Sequence, residues 1–369
     1  MTAESSRPIL CVVGARPNYM KIAPLIQQLA RRRQPHLLVH TGQHYDDNMS
    51  GAFFRDLGMP EPDMRLGIGS DSHARQTAKI MTALEQVCLD KQPSMVIVGG
   101  DVNSTLAAAV TAAKLGIPVA HVEAGLRSFD RSMPEEINRI VTDHLSELLF
   151  TTEESGNLNL RREGIPDEKI RFVGNCMVDT LLQFSDRAKA GEPWTQYGLA
   201  FKGYALATLH RPTNVDGEDS LRRALEALAE IGRMLPVLFP AHPRTQARIA
   251  GYALKVPPVV MICDPISYIS FIGLMSGAKL ILTDSGGIQE ESTTLNVPCL
   301  TMRSNTERPV TVTSGSNRLV GADRALIAAS LEEIMGGRWK AASRPPLWDG
   351  HAAERAVDEI ERWMKVKTA

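Results

Sequence analysis

Several features that would betray a function outright are missing from this chain. Charge of one sign is absent: 41 Lys and Arg stand against 42 Asp and Glu, a formal net charge of −1. That balance argues against nucleic-acid and membrane-surface partners. No uncharged apolar run reaches the ~20 residues of a membrane span, and the opening MTAESSRP has no apolar signal-peptide core. The five cysteines are odd in number and far apart, and Cys11, Cys263 and Cys299 lie in strand-like runs, where they read as small buried hydrophobes. A soluble, reduced, cytoplasmic protein is the resulting expectation. The nine histidines form no HExxH or other zinc pattern, so no metal is expected. No G-x-G-x-x-G turn and no Gly-Lys-Ser/Thr phosphate loop occurs, which removes nicotinamide, flavin and P-loop chemistry.

What is present is an alternation of short apolar runs with helical patterns. The first half offers ILCVVG (9–14), HLLVHTG (36–42), SMVIVGG (94–100), PVAHVE (118–123), LLFTT (148–152) and IRFVGN (170–175). The second offers YALATLH (204–210), PVLFPAH (236–242), VVMIC (259–263), KLILTD (279–284), VPCLTM (297–302) and NRLVG (317–321). Continuous Val/Ile/Leu runs suit strands of parallel sheets covered on both faces. Segments between them, such as STLAAAVTAAKLG (104–116), read as helices closed by glycine. With 369 residues and about 150 per domain, the pattern predicts an α/β chain of two doubly wound domains, 1–184 and 185–350. The linker-like SDRAKAGEPWTQYG (185–198) marks the join. After the DG at 349–350, Ala353, Ala356, Val357, Ile360, Trp363 and Met364 recur at helical spacing, so a helix over 351–369 ends the chain.

In open α/β sheets, ligands bind beyond the carboxyl ends of the strands. Those ends here carry Gly14-Ala15-Arg16, Thr41-Gly42-Gln43-His44, Asp101, Glu123, His210-Arg211, His242 and Asp284-Ser285-Gly286-Gly287. Two such rims facing each other would make a central cleft. GARPNYMK (14–21) offers a helix start with Asn18 available to cap and with Arg16 and Lys21 as cations: an anion site, or a structural turn with solvated charges. TDSGGIQEE (283–291) favours an anion more strongly, because two glycines let backbone N–H groups approach a diphosphate at a helix N-terminus. Glu291 on its first turns could accept hydrogen bonds from sugar hydroxyls. HRPTN (210–214) puts His210 where it could donate to phosphate or take a proton, or serve as a plain loop histidine.

HVEAGLRSFDRSMPEEINRIVTDH (121–144) concentrates carboxylates. Ser132 and Glu135 fit an S-x-x-E capping box with Pro134 in the first turn. Ile137, Ile140, Val141, Leu145 and Leu148 form an apolar stripe, opposite Glu135, Asn138, Arg139 and Thr142. Glu135 and Arg139 read as an i,i+4 ion pair, and Asp130 and Glu136 as solvated or structural charges. Glu123 is different: it ends an apolar strand beside Gly125, where neighbouring carboxylates in a dry site can divide acid and base roles.

Together the motifs GARPNYMKIAPL, TGQHY, GDVNSTLAAA, HVEAGLR, PEEINR, LHR and LTDSGGIQEE, followed by NVPCLTMR and NTERP, resemble the non-hydrolysing UDP-N-acetylglucosamine 2-epimerase family along almost the whole chain. The resemblance implies a GT-B-like fold of two Rossmann-type domains, no redox cofactor, a homodimer and a C-terminal helix packed back on the first domain. It makes Asp101, Glu123 and Glu135 the acidic catalytic residues, with Arg139 and His210 as basic companions. Arg16, His210 and Ser285-Gly286-Gly287 would hold the diphosphate, Phe271 would stack on uracil, and Glu291 would bind ribose. Gln43, His44 and His242 match positions around a second, activating nucleotide-sugar site of some members. HRPTN, AHPR and Asp46 depart from common family forms. The implied reaction interconverts UDP-GlcNAc and UDP-ManNAc by anti-elimination of UDP through 2-acetamidoglucal and re-addition. Alternatives are a 2-epimerase of another UDP-2-acetamido sugar, a hydrolysing 2-epimerase, a GT-B glycosyltransferase and a non-catalytic UDP-sugar binder.

Overall fold

The computed structural model describes residues 7–43 and 58–368. Each apolar run becomes a strand. The first unit holds β1 (Ile9–Val13), β2 (His36–His40), β3 (Met64–Arg65), β4 (Met95–Gly99), β5 (Val119–Ala124), β6 (Leu148–Thr151) and β7 (Ile170–Phe172). The second holds β8 (Ala205–Thr208), β9 (Val237–Pro240), β10 (Val260–Cys263), β11 (Leu280–Thr283), β12 (Cys299–Thr301) and β13 (Asn317–Leu319). Among the described residues all ladders are parallel, in the orders β3-β2-β1-β4-β5-β6-β7 and β10-β9-β8-β11-β12-β13. The class is therefore the expected one: GT-B-like α/β, with two Rossmann-type doubly wound units. Only β3, two residues at a sheet edge, escaped the sequence pattern, because so short a piece carries no periodicity.

One compact unit runs to Thr180 and resumes at Pro346; the other is Leu181–Pro345. Strand order reverses between β1 and β4 in the first and between β8 and β11 in the second, so each has a switch point where the strand ends leave room for a ligand. The Arg16–Arg31 helix packs with the Ala352–Thr368 helix, and the Asn103–Lys114 helix with the His73–Lys91 and Pro134–Leu145 helices. Leu10, Val12, Val96, Val98 and Val119 bury against Ile80, Leu84 and the alanines of the 103–114 helix. In the second unit Ala205, Val237, Leu280 and Leu300 pack with Leu221, Leu225, Leu228 and Ile327.

The returning segment is firmly held within the first unit. Trp348 is fully buried and its Nε1 donates to the Thr152 carbonyl at 2.8 Å. Asp179 accepts from the Ala352 and Ala353 N–H groups at 3.1 and 2.8 Å, satisfying the start of the Ala352–Thr368 helix. Ala352, Ala353, Ala356, Val357 and Ile360 are buried, and Arg32 pairs with Asp358 at 2.6 Å. No helix among the described residues is long and apolar enough to cross a membrane.

Candidate functional site

In the first unit the candidate carboxylates sit at the ends of β4 and β5. Pairing with β6 runs from Val122–Phe150 to Ala124–Thr151, so Glu123 is an inserted residue, a β-bulge. Its φ is +73°. A non-glycine residue held there costs on the order of 1 kcal/mol or more and persists only when its surroundings demand it. Strict alternation would point Glu123 to the same face as His121, and the bulge re-aims it. His121 accordingly meets Asp143 of the Pro134–Leu145 helix, whereas the buried Glu123 carboxylate meets Lys21 of the Arg16–Arg31 helix, with Nζ at 2.9 and 2.8 Å from its two oxygens. Lys21 is itself buried against this carboxylate. Gly100, at φ +67°, leaves room for it, since a Cβ there would lie 2.7 Å from Lys21 Nζ.

Asp101 follows β4 and is gripped from the 134–145 helix. Arg139 reaches its Oδ2 with Nε at 3.1 Å and Nη2 at 2.7 Å, and Asn138 Nδ2 donates to its backbone carbonyl at 2.8 Å. Three local expectations are corrected here. Ser132 is not the N-cap: the cap position is Met133, without a side-chain cap bond, and the Ser132 hydroxyl donates to Asp130 at 2.6 Å. The Glu135–Arg139 pair gives way to Glu136–Arg139 at 2.5 Å, because 136 and 139 share the buried side while Glu135 is half-buried. The helix is also inverted relative to its stripe. Glu136, Asn138, Arg139, Thr142 and Asp143 are its buried residues, and Ile137 is 49% exposed. Polar groups can go inside because they are satisfied there: Glu136 accepts from Ser128 N (2.9 Å), Ser128 Oγ (3.0 Å) and Phe129 N (2.8 Å).

At the end of β1, Asn18 satisfies the Ala15 N–H at 3.1 Å and donates to the Gly99 carbonyl. Arg16 opens the helix, but its side chain lies outside the described residues, as do His44 and Asp46. Gln43 is buried, and its Oε1 accepts from Ser104 N at 3.0 Å and Ser104 Oγ at 2.7 Å.

In the second unit the switch-point loops are organised by Asp284. It accepts from the backbone N–H of His210 (3.1 Å) and of Arg211 (2.9 Å) and from Asn214 Nδ2 (2.9 Å); His210 Nδ1 lies 3.0 Å from its Oδ1. Burial pushes the Asp284 carboxyl up, but the His210 ring, Asn214 and the Arg211 N–H together hold it below the usual range. The His210 side chain is 60% exposed, its ring anchored at one nitrogen. Ser285 precedes the Gly286–Thr294 helix. A Cβ on Gly286 would lie 2.4 Å from Arg308 Nη1 and 2.8 Å from Glu307 Oε1, so glycine lets an ion pair lie against the helix start. Arg308 Nη1 meets Glu307 at 2.6 Å, Arg308 Nε meets Glu290 at 3.0 Å, and Arg303 meets Glu307 at 2.8 Å. Glu291 accepts from the Tyr268 hydroxyl at 2.7 Å, and burial pushes its carboxyl up to about 7. Phe271 lies half-buried on the Tyr268–Gly277 helix that carries Tyr268. His242 is exposed at the start of the Pro243–Gly251 helix, its Nδ1 accepting from Arg244 N at 3.2 Å.

Asp143, Glu136, His121, Tyr268 and Arg308 took no part in the sequence-based site, and Asp284 appeared there only as a strand end. The signal available was a polar residue inside or closing an apolar run, as in VAHVE and LILTD.

Two Rossmann-type units with acidic and basic side chains gathered at their strand ends define a GT-B-like α/β protein. The chain belongs to the UDP-N-acetylglucosamine 2-epimerase family, whose model matches residues 27–361. It is 42% identical over 357 residues to the UDP-N-acetylglucosamine 2-epimerase of Methanocaldococcus jannaschii, covering 94% of this chain and 96% of that one. It is 43% identical over 333 residues to a UDP-2,3-diacetamido-2,3-dideoxy-D-glucuronate 2-epimerase of Pseudomonas aeruginosa, covering 89% and 92%. The crystal structure of the M. jannaschii enzyme in complex with UDP-GlcNAc and UDP superposes with a TM-score of 0.88, covering 96% of this chain and 99% of that one.

Proposed function

We propose that this chain is a non-hydrolysing 2-epimerase that interconverts UDP-GlcNAc and UDP-ManNAc. The observation that carries the reading is the pair of carboxylates, Asp101 and Glu123, on adjacent strand ends, each tied to its own buried cation, in a chain so similar to a UDP-N-acetylglucosamine 2-epimerase. The C2 hydrogen beside an acetamido group is not acidic. Expelling UDP from C1 gives the ring oxocarbenium character and makes that hydrogen removable. Anti-elimination then yields 2-acetamidoglucal and UDP, and protonation of the opposite face of C2 with return of UDP to C1 yields the epimer. This needs a carboxylate base, a proton donor on the other face and a stabilised diphosphate.

We assign the proton work to Asp101, Glu123 and Glu135, with Arg139 charge-tuning Asp101. His210, Arg16 and the Ser285-Gly286-Gly287 turn serve the diphosphate, Glu291 the ribose and Phe271 the uracil. Lys21, expected beside the anion, supports Glu123 in this reading. Gln43, His44 and His242 are assigned to an activating nucleotide-sugar site, and the enzyme to a cytoplasmic homodimer of light-scattering mass twice that of the chain.

A proton NMR time course of UDP-GlcNAc in D₂O tests the reaction. Deuterium at C2 of UDP-ManNAc is expected; full retention of the original hydrogen would refute the elimination, and free ManNAc would make the enzyme a hydrolysing one. The P. aeruginosa relative, at 43% identity beside 42% for the M. jannaschii one, supports a second reading in which a UDP-diacetamido uronate is the substrate. Comparing kcat/KM for the two nucleotide sugars decides between them.

A further inference from the structure

His121 lies in the middle of β5, fully buried, and none of the roles assigned above uses it. Both its ring nitrogens are engaged. Nε2 lies 2.8 Å from the Gly100 carbonyl and therefore carries a hydrogen, since a carbonyl only accepts. Nδ1 lies 2.6 Å from Asp143 Oδ1. The other Asp143 oxygen accepts from the Gly125 N–H at 3.1 Å and pairs with Arg127 at 2.7 Å. Burial pushes the Asp143 carboxyl up, and His121 and Arg127 bring it below its ordinary range, so it serves as a fixed acceptor. One buried pair thus ties down two things at once: the Gly100 carbonyl, one residue before Asp101, and the Gly125 N–H, two residues after Glu123.

A buried histidine–aspartate pair that only stabilised the fold could sit anywhere in the sheet. This one grips the backbone on the catalytic side of both candidate carboxylates, at the bulge where β5 departs from its ladder. Gly100 has φ +67° and Gly125 +79°, so both anchored residues lie in left-handed turns that glycine adopts readily. We propose that His121, held by Asp143, is a positioning residue that sets the distance and orientation of Asp101 relative to Glu123. It touches no substrate. The proposal rests on the reading of Asp101 as catalytic.

The experiment is a double-mutant cycle on the full chain with UDP-GlcNAc, scored by kcat, KM and thermal melting. His121→Asn keeps a donor near Nδ1 for Asp143 but loses the reach to Gly100; His121→Gln keeps a donor near Nε2 for Gly100. Misplacing a reacting group by about 1 Å can cost on the order of 10²-fold. A fall in kcat of that order is expected for His121→Asn, with partial recovery in His121→Gln and KM within about twofold for both. In an Asp101→Asn background, His121→Asn should lower kcat little further, because the group it positions is already gone. Wild-type kcat in His121→Asn, equal falls in both variants, additive losses in the double variant, or failure of both variants to fold would each overturn the proposal. Asp101→Asn alone tests the underlying reading: near-wild-type activity there removes Asp101 from catalysis, whatever His121 does.

Discussion

Glu123 combines three properties that rarely coincide: a carboxylate nearly out of reach of solvent, a lysine on both its oxygens and a left-handed backbone. Glu123→Gln preserves size and leaves Lys21 a single carbonyl to meet; Asp101→Asn does the same to Arg139. Each variant should fold and lose on the order of 10²–10⁴-fold in turnover, the usual worth of a positioned acid or base. A coupled assay that follows UDP-ManNAc formation checks this, and near-wild-type rates in either would remove that residue from the list. Glu291 gives a stability signature. Its folded value of about 7 stands above the ordinary 4.5 because of burial. Its contribution is therefore fully present below pH ~4.5 and is lost as pH rises through about 7. Glu291→Gln does not ionise and keeps an oxygen for the Tyr268 hydroxyl. Its melting temperature should match or trail wild type at pH 5 and exceed it at pH 8. A constant offset across that range would show that Glu291 is not the titrating group.

Among the elements, the Pro134–Leu145 helix is where local reasoning and tertiary structure part. The S-x-x-E pattern and the apolar stripe are both present in the residues, yet the helix starts after Ser132 and buries its polar side. The deciding groups lie elsewhere in the chain: Asp101, Ser128 and Phe129 supply the partners that make Arg139 and Glu136 comfortable inside. Ser132→Ala should accordingly shift stability by no more than about 0.5 kcal/mol. Glu136→Gln, which breaks a buried ion pair, should cost about 3 kcal/mol. Urea titrations of the two variants check the contrast, and equal effects would restore the capping reading. Strands were far more legible, because burial on both faces writes itself as continuous Val/Ile/Leu. The bulge at Glu123 was not, since no residue preference announces an inserted position; nor was the Lys21–Glu123 pair, whose members lie 102 residues apart. At the Gly286–Thr294 helix the two glycines were visible, but not the Arg308–Glu307 pair lying against Gly286. Gly286→Ala should push that pair aside and weaken UDP binding at least about tenfold by calorimetry, the effect of ~1.4 kcal/mol.

Across the whole molecule, alternating strands and helices made two doubly wound units readable from the residues alone, whereas the fastening of the last segment depends on individual contacts. Trp348 donates to Thr152 and Asp179 caps the final helix, so residues far apart in the chain complete one core. A chain ending at Pro345 should keep the Leu181–Pro345 unit and lose stability in the other. Calorimetry would then show one transition at lower temperature; an unchanged trace would mean that the segment is dispensable. The same arrangement has a consequence for the order of manufacture. Because the unit that begins first resumes only at Pro346, a ribosome finishes the later unit before the earlier one can close. Until Trp348 and the helix behind it have emerged, the nascent first unit lacks part of its core, and the strand ends bearing Asp101 and Glu123 wait in a half-built scaffold.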